Sequence, residues 1–295
     1  MLSDVDFGQV LSTGLTFGAI YAALALGYHL IFVSSGVLNF ALGEQLAVSG
    51  LVVLSAMAWG LPLVVAIAFA VVAGALFGAL YERVALRPAA RMGAVGPLIS
   101  SVGVAIVIAQ GRVLIWGPNP RPFAPFTGRP NESVSFLGGQ WPLQAFWVLG
   151  LVLVSTLLLV VFLRRTRWGR EWRATAQNVL GARLSGVDPS RVAVGAVAVT
   201  SGLVTLVGVA IAPIVLAGGF YALDFGVRGF AAAIIGGFTS TTGVLLGGIV
   251  IGLLDAYLVA AFSAQWSDVV LYGLLIFALM VRPRGILGRE AVVRA

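Results

Sequence analysis

Nine apolar runs follow one another along the 295 residues, at 10–33, 37–58, 61–81, 97–115, 143–163, 192–216, 227–238, 244–262 and 269–281. Most approach the ~20 residues that a helix needs to cross a bilayer's hydrocarbon core. Little chain is left over for a soluble body. An ordinary globular domain carries about a quarter of its residues as charges, whereas here 10% are charged and 60% are hydrophobic. The expected fold is an all-α polytopic membrane protein forming one transmembrane domain over 1–295, with about eight transmembrane helices plus one short or re-entrant element. That element is the 227–238 run, which is too short to span and is followed by Thr239, Ser240, Thr241 and Thr242. Broken backbone is tolerated at membrane depth only where protein or a wet cavity covers it.

The polar residues that are missing narrow the chemistry. All 18 basic residues are arginine, cysteine is absent, and His29 is the one histidine. Without lysine there is no Walker-A phosphate loop and no Schiff base. Without cysteine and with a single histidine, thiolate zinc, iron–sulfur and haem-attachment sites are excluded. No metal site, no cofactor and no catalytic residue are expected.

The net charge of +7 is a matter of topology and does not point to nucleic acid. Most arginines fall in three stretches, 82–91, 164–191 and the tail 282–295. The positive-inside rule puts all three in the cytoplasm. The N-terminus, with Asp4 and Asp6 and no basic residue, is then outside, and the first run reads as a retained span rather than a signal peptide. Trp59, Trp116, Trp141 and Trp266 fall at outer ends, where an aromatic belt is expected. The proline-containing 117–142 segment becomes an extracytoplasmic loop.

Several polar groups lie inside apolar runs. Glu44 would cost a few kcal/mol as an unpaired carboxylate in lipid. With Asn39, Gly43 and Gln45 beside it, the residues allow either a broken helix lining a solute path or a structural hydrogen bond that fixes the break. His29 reads as a satisfied interfacial imidazole, and Asp255 as an interior acid or an interface residue. Asp224 and Arg228, at i and i+4, read as a local pair or a docking contact. Gly243, Gly247, Gly248 and Gly252 are spaced for close helix packing. A proton relay through Glu44, Asp255 and His29 is the rival reading.

The 164–191 loop is the most distinctive. Its middle, about 170–185, has helical spacing. Gly186 supplies a left-handed stop, and Asp188 followed by Pro189 reads as N-cap and first residue of the next helix. Such a helix either rests on anionic membrane lipid or docks a cytoplasmic partner.

Four segments resemble the branched-chain amino acid ABC transporter permeases, in order and over nearly the full chain. They are GLTFGAIYAALALGYHLIFVSSGVLNFALGE at 14–44, GREWRATAQNVLGARLSGVDPSRV at 169–192, IIGGFTSTTGVLLGGIVIGLLD at 234–255 and RPRGILGR at 282–289. The resemblance implies an inner-membrane importer permease built from inverted repeats. It would work with a second homologous permease, two cytoplasmic ATPase subunits that bind the ATP, and an extracytoplasmic solute-binding protein. It implies a translocation path at Asn39, Gly43 and Glu44, and ATPase coupling through Arg173, Ala174, Gln177, Asn178, Ala182 and Gly186. One departure stands out. Many members have histidine before the Gly–Glu pair where this chain has Leu42, and relatives of this architecture also move urea, short amides or other amino acids.

Overall fold

The computed structural model describes residues 6–93, 95–129, 132–281 and 285. The tail and the 282–289 motif therefore lie outside the described residues, apart from Gly285. Helix α1 (Phe7–Ser35) starts on the Asp6 carboxylate, which accepts from Gln9 N at 3.1 Å, and stops at Gly36, whose φ is 73°. Helix α2 (Leu42–Ala58) is followed by α3 (Leu63–Tyr81), a π-helical stretch Glu82–Leu86 and α4 (Arg87–Ala90). The π-helical stretch has a cause in the sequence. Pro88 has no N–H to give to the preceding turn, and the ladder slips so that Arg87 N donates to Glu82 O.

Helix α5 (Val95–Trp116) leads to a small hairpin, β1 (Ser133–Phe136) and β2 (Gly139–Pro142), in which Phe136 pairs with Gly139. Helix α6 (Leu143–Arg165) then returns to two short surface helices, α7 (Arg167–Gln177) and α8 (Val179–Leu184). The chain ends in α9 (Pro189–Val215), α10 (Ala222–Gly236), α11 (Thr241–Ala261) and α12 (Ala264–Val281).

Seven of the described helices are long and apolar enough to cross a membrane. Two more, α2 at 17 residues and α10 at 15, are shorter. The 37–58 run thus yields a helix only from Leu42. The short element of 227–238 begins five residues earlier, at Ala222, and the chain is broken both before it, at 216–221, and after it, at 237–240, where Thr239 and Ser240 lie. Ser240 is simply the N-cap of α11, accepting from Gly243 N at 3.1 Å.

Burial separates a centre from a periphery. The apolar window of α1 is 83% buried and that of α9 72%, against 11% for α5 and for α12. Helix α1 packs along α11 and α9 packs along α3, while α2 lies against α9 and α10 against α1. Each end of the chain therefore supplies the partner helix of the other, as inverted repeats require, with α1, α2, α3 and α5 answering α9, α10, α11 and α12. The α1–α11 contact needs glycine on both sides. A Cβ at Gly252 would overlap the Gly18 backbone, and one at Gly248 the Ala22 backbone. The glycine stretch is a packing surface, as its spacing predicts.

Trp59 and Trp266 are exposed at helix ends, in keeping with an aromatic belt. Trp141 departs from that expectation. It is 2% exposed, enclosed by Phe136 and Phe146, because β2 turns its side chain inward.

Candidate functional site

Two chain breaks meet half-way along α1. After Gly36 the segment 37–41 folds back toward the bundle centre. There the Asn39 Oδ1 accepts from Ala41 N at 3.0 Å and from the Tyr81 hydroxyl at 3.1 Å, and Phe40 N donates to the Ser101 hydroxyl at 3.2 Å. The second break follows α9, whose last turn contains Pro213. Leu216 takes φ 67°, and Gly218 N reaches across to Ala47 O at 3.0 Å. Positive φ at leucine is uncommon and marks a backbone held by its surroundings.

The two half-helices start against each other. A Cβ on Gly43 would overlap Ala222 O, and one on Gly226 would stand 3.5 Å from Gly43 Cα. From this meeting point α2 runs toward the face carrying the β-hairpin, where Ser55 bonds Trp116. Helix α10 runs toward the face carrying α7, where Phe238 meets His29. Neither helix has a side-chain N-cap bond, and both direct the positive ends of their dipoles at this meeting point.

Glu44 sits in the first turn of α2, where that dipole favours a carboxylate. It lines a cleft of about 250 Å³ walled by α5 and the start of α10. Its Oε2 is buried with no hydrogen-bond partner, and no ion pair joins it to a cation among the described residues. Gln45, facing the other way, donates to Gly74 O at 3.4 Å and Ser201 O at 3.3 Å, tying α2 to α3 and α9. The three residues expected to line a path therefore divide. Asn39 is a buried anchor for the broken segment, Gly43 permits the helix starts to touch, and Glu44 alone reaches open space.

Arg112 is the residue that the sequence reading did not single out, although a charge inside the 97–115 run was the available signal. It is 7% exposed on α5 and donates through Nη1 to Gly218 O and, at 3.0 Å, to Gly219 O. Its guanidinium lies 5.4 Å from the Phe220 ring centroid, and its Nε is buried without a partner.

Arg228 turns out to be the hub of a second polar cluster. Its side chain is 12% exposed and pairs with Asp224 at 2.7 Å, Asp255 at 3.2 Å and Asp268 at 2.7 Å. Tyr21 donates to Asp255 at 3.1 Å and Ser267 donates to it at 2.5 Å. The expected Asp224–Arg228 local pair forms, and it is part of a clasp across α1, α10, α11 and α12. His29 is satisfied by Phe238 O at 2.6 Å and the Thr241 hydroxyl at 3.0 Å. Glu44, Asp255 and His29 belong to three separate hydrogen-bond environments.

On the opposite face, the predicted single helix of 170–185 is two helices. Asn178 leaves the helical conformation and caps α8, accepting from Gly181 N at 2.9 Å. Trp172 buries its ring under α7 against His29 and donates to Leu30 O at 3.4 Å. Arg173 caps the end of α6 by donating to Leu163 O, a cation at the negative end of a helix. Gly186, at φ 80°, closes α8 with Gly186 N to Arg183 O at 3.0 Å and Val187 N to Ala182 O at 2.9 Å, the paired bonds of a Schellman turn. Asp188 caps α9, accepting from Ser190 N at 3.0 Å.

Of the residues expected to couple to an ATPase, Gln177, Asn178 and Gly186 are exposed and Ala174 is half-buried. Ala182, which the sequence placed on a partner-facing surface, is 3% exposed because α8 turns it toward its own chain. Leu180 and Leu184, 66% and 82% exposed, face out instead. A cavity of about 650 Å³ is lined by residues at the ends of α1 and α7, by α8 and by the start of α9, with Glu82, Arg87 and Arg183 on its walls.

Comparison with known proteins gives this geometry a family. The family described as branched-chain amino acid transport system / permease component matches residues 10–279. The high-affinity branched-chain amino acid transport system permease protein LivH of Escherichia coli (strain K12) is 33% identical, covering 97% of this chain and 97% of that protein. The corresponding permease protein BraD of Pseudomonas aeruginosa is 32% identical over 96% of each chain. The solved structure of PsaBC from Streptococcus pneumoniae in complex with Fab superposes with a TM-score of 0.54 at 14% identity, over 96% of this chain and 95% of that one. That likeness shows the fold alone. The chain belongs to the branched-chain amino acid transport permease family.

Proposed function

We propose that the chain is the membrane-spanning permease subunit of an ATP-binding-cassette importer for branched-chain amino acids, with no catalytic chemistry of its own. The observation that carries this reading is the pair of half-helices meeting inside the bundle, in a chain whose family and full-length relatives are such permeases. Broken helices facing each other at depth are how transporters expose backbone and charge to a solute without exposing them to lipid.

The finer assignments rest on chemistry. A lysine-free chain has no phosphate loop, and ATP is bound and hydrolysed by two partner ATPases on the α7–α8 face. A second permease completes the path, and a solute-binding protein docks on the hairpin face. The α7–α8 face is cytoplasmic and the N-terminus outside, a reading that the arginines of 82–91 and 164–191 support. Glu44 lines the path, positioned by Asn39 and Gly43. A proton relay is disfavoured because Asp255 is held by Arg228, Tyr21 and Ser267, and His29 by backbone and Thr241.

The test is uptake of labelled leucine into proteoliposomes holding this permease with its second permease and ATPases. Import should need ATP on the ATPase side and binding protein on the other, and should survive a protonophore. Uptake that proceeds without ATP and collapses with the protonophore would overturn the reading.

A further inference from the structure

The cavity of about 650 Å³ beside α8 is built where three spans end. Ser34 belongs to the last turn of α1, Glu82 and Arg87 continue the α3 span, Ser190 belongs to the first turn of α9, and Arg183 reaches the same space from α8. The volume is within the ~300–1,000 Å³ usual for a small-ligand pocket. The ends of spanning helices stand where hydrocarbon gives way to headgroups, so the cavity lies at the depth of a lipid's polar part.

Its charged walls are unpaired. Glu82 is 5% exposed, and its carboxylate has no hydrogen-bond or ion-pair partner among the described residues. Arg87 and Arg183 are exposed, and neither guanidinium has an acceptor among those residues. A buried carboxylate left alone costs a few kcal/mol, and a donor arriving from outside the chain would remove that cost. The π-helical stretch is what brings acid and base to one wall. Arg87 N donates to Glu82 O, five residues back, so residue 87 stacks over 82, where an α-helix would have stacked 86. Single π-turns of this kind are frequent at functional sites.

We propose that this cavity binds the phosphoethanolamine headgroup of a membrane phospholipid: Arg87 and Arg183 take the phosphate, Ser190 adds a neutral donor, and Glu82 takes the primary ammonium. Guanidinium is the side chain best matched to phosphate geometry, and basic pockets between transmembrane helices hold lipid headgroups. Glu82 sets the class of lipid. A headgroup with only negative charge brings the carboxylate no cation, and a trimethylammonium has no N–H to give it. A bound headgroup ties α8 to the ends of α3 and α9, whichever solute the permease moves.

The experiment counts lipids retained by the complete transporter in native mass spectrometry, after delipidation and incubation with phosphatidylethanolamine, phosphatidylcholine or phosphatidylglycerol of the same acyl chains. Phosphatidylethanolamine should be retained about tenfold over the other two, the scale of one charge-assisted hydrogen bond. Glu82→Gln and Arg183→Gln should each bring its retention down to within about twofold of phosphatidylcholine. Arg183 is exposed on α8, so Arg183→Gln decides the matter if Glu82→Gln fails to assemble. Retention of phosphatidylcholine or phosphatidylglycerol within about twofold of phosphatidylethanolamine by the unsubstituted transporter overturns the proposal, as does an excess that survives Arg183→Gln. Displacement of the lipid by water-soluble phosphoethanolamine at equal concentration also overturns it, because the ligand would then be a cytosolic phosphate.

Discussion

Arg228 of α10 lies with its Nη1 3.2 Å from the Oδ2 of Asp255 on α11, and this contact locks a half-helix to the body of the bundle. Helix α10 has one end at the meeting point with α2 and is too short to be held by lipid alone. The clasp compensates by reaching α12 through Asp268 at 2.7 Å and α1 through Tyr21 at 3.2 Å. Arg228→Met would leave three carboxylates facing one another. A buried pair broken on one side costs about 3–5 kcal/mol, and thermal unfolding of the detergent-solubilised permease should show a loss of that order. Adding Asp255→Asn should return part of it. Equal stability of Arg228→Met and the parent would mean that the cluster is solvated.

The contact between the half-helix starts makes an asymmetric prediction about two glycines. A methyl at Gly43 meets Ala222 O head on, whereas one at Gly226 finds ordinary contact distance to Gly43 Cα. Gly43→Ala should therefore abolish import in an assembled transporter, and Gly226→Ala should leave most of it. Uptake rates for the two variants side by side provide the comparison, and equal rates would argue against a tight junction.

The parts of this architecture that were legible in the sequence are those set by local chemistry. Asp188–Pro189 and Gly186 each carry their own conformational preference, and both stand where that preference puts them, at the start of α9 and the end of α8. Asn39 and Glu44 announced a broken helix because polar groups interrupt an apolar run. The Arg228 clasp was not legible, since Tyr21 is 207 residues away from it in sequence and nothing local pairs them. Arg112 was passed over for the same reason: its acceptors Gly218 and Gly219 become neighbours only when the chain folds back after α9. The inward turn of Ala182 depended on Asn178 splitting one helix into two, a choice made by capping rather than by apolar spacing.

Orientation follows from charge and can be read with single cysteines, since the chain has none of its own. Ser133 in the β-hairpin and Ser185 at the end of α8 are both exposed. A cysteine at Ser133 should react with an impermeant maleimide added to intact cells, and one at Ser185 only after the membrane is opened. The reverse pattern would invert the molecule and remove the basis for placing ATPases on the α7–α8 face.

The α7–α8 face separates two ways of losing ATPase coupling. Ala182 packs against its own chain, and burying a carboxylate there strikes the permease itself. Ala182→Glu should therefore lower the amount of permease recovered from membranes, since an unpaired buried charge costs several kcal/mol. Leu184 is 82% exposed and touches too little of this chain to matter for its folding. If the ATPases dock here as proposed, Leu184→Glu should leave the permease inserted and at normal abundance while the ATPases no longer co-purify, because a charge then enters the exposed apolar patch of Leu180 and Leu184. Gly186→Val belongs with the first class. It forces a β-branched residue to φ 80°, a conformation that costs about 1–3 kcal/mol, and it loosens the turn that sets the angle between α8 and α9. Immunoblots of membranes alongside pull-down of the ATPases distinguish the two. Normal co-purification with Leu184→Glu would show that the partner docks elsewhere and that α8 lies on lipid.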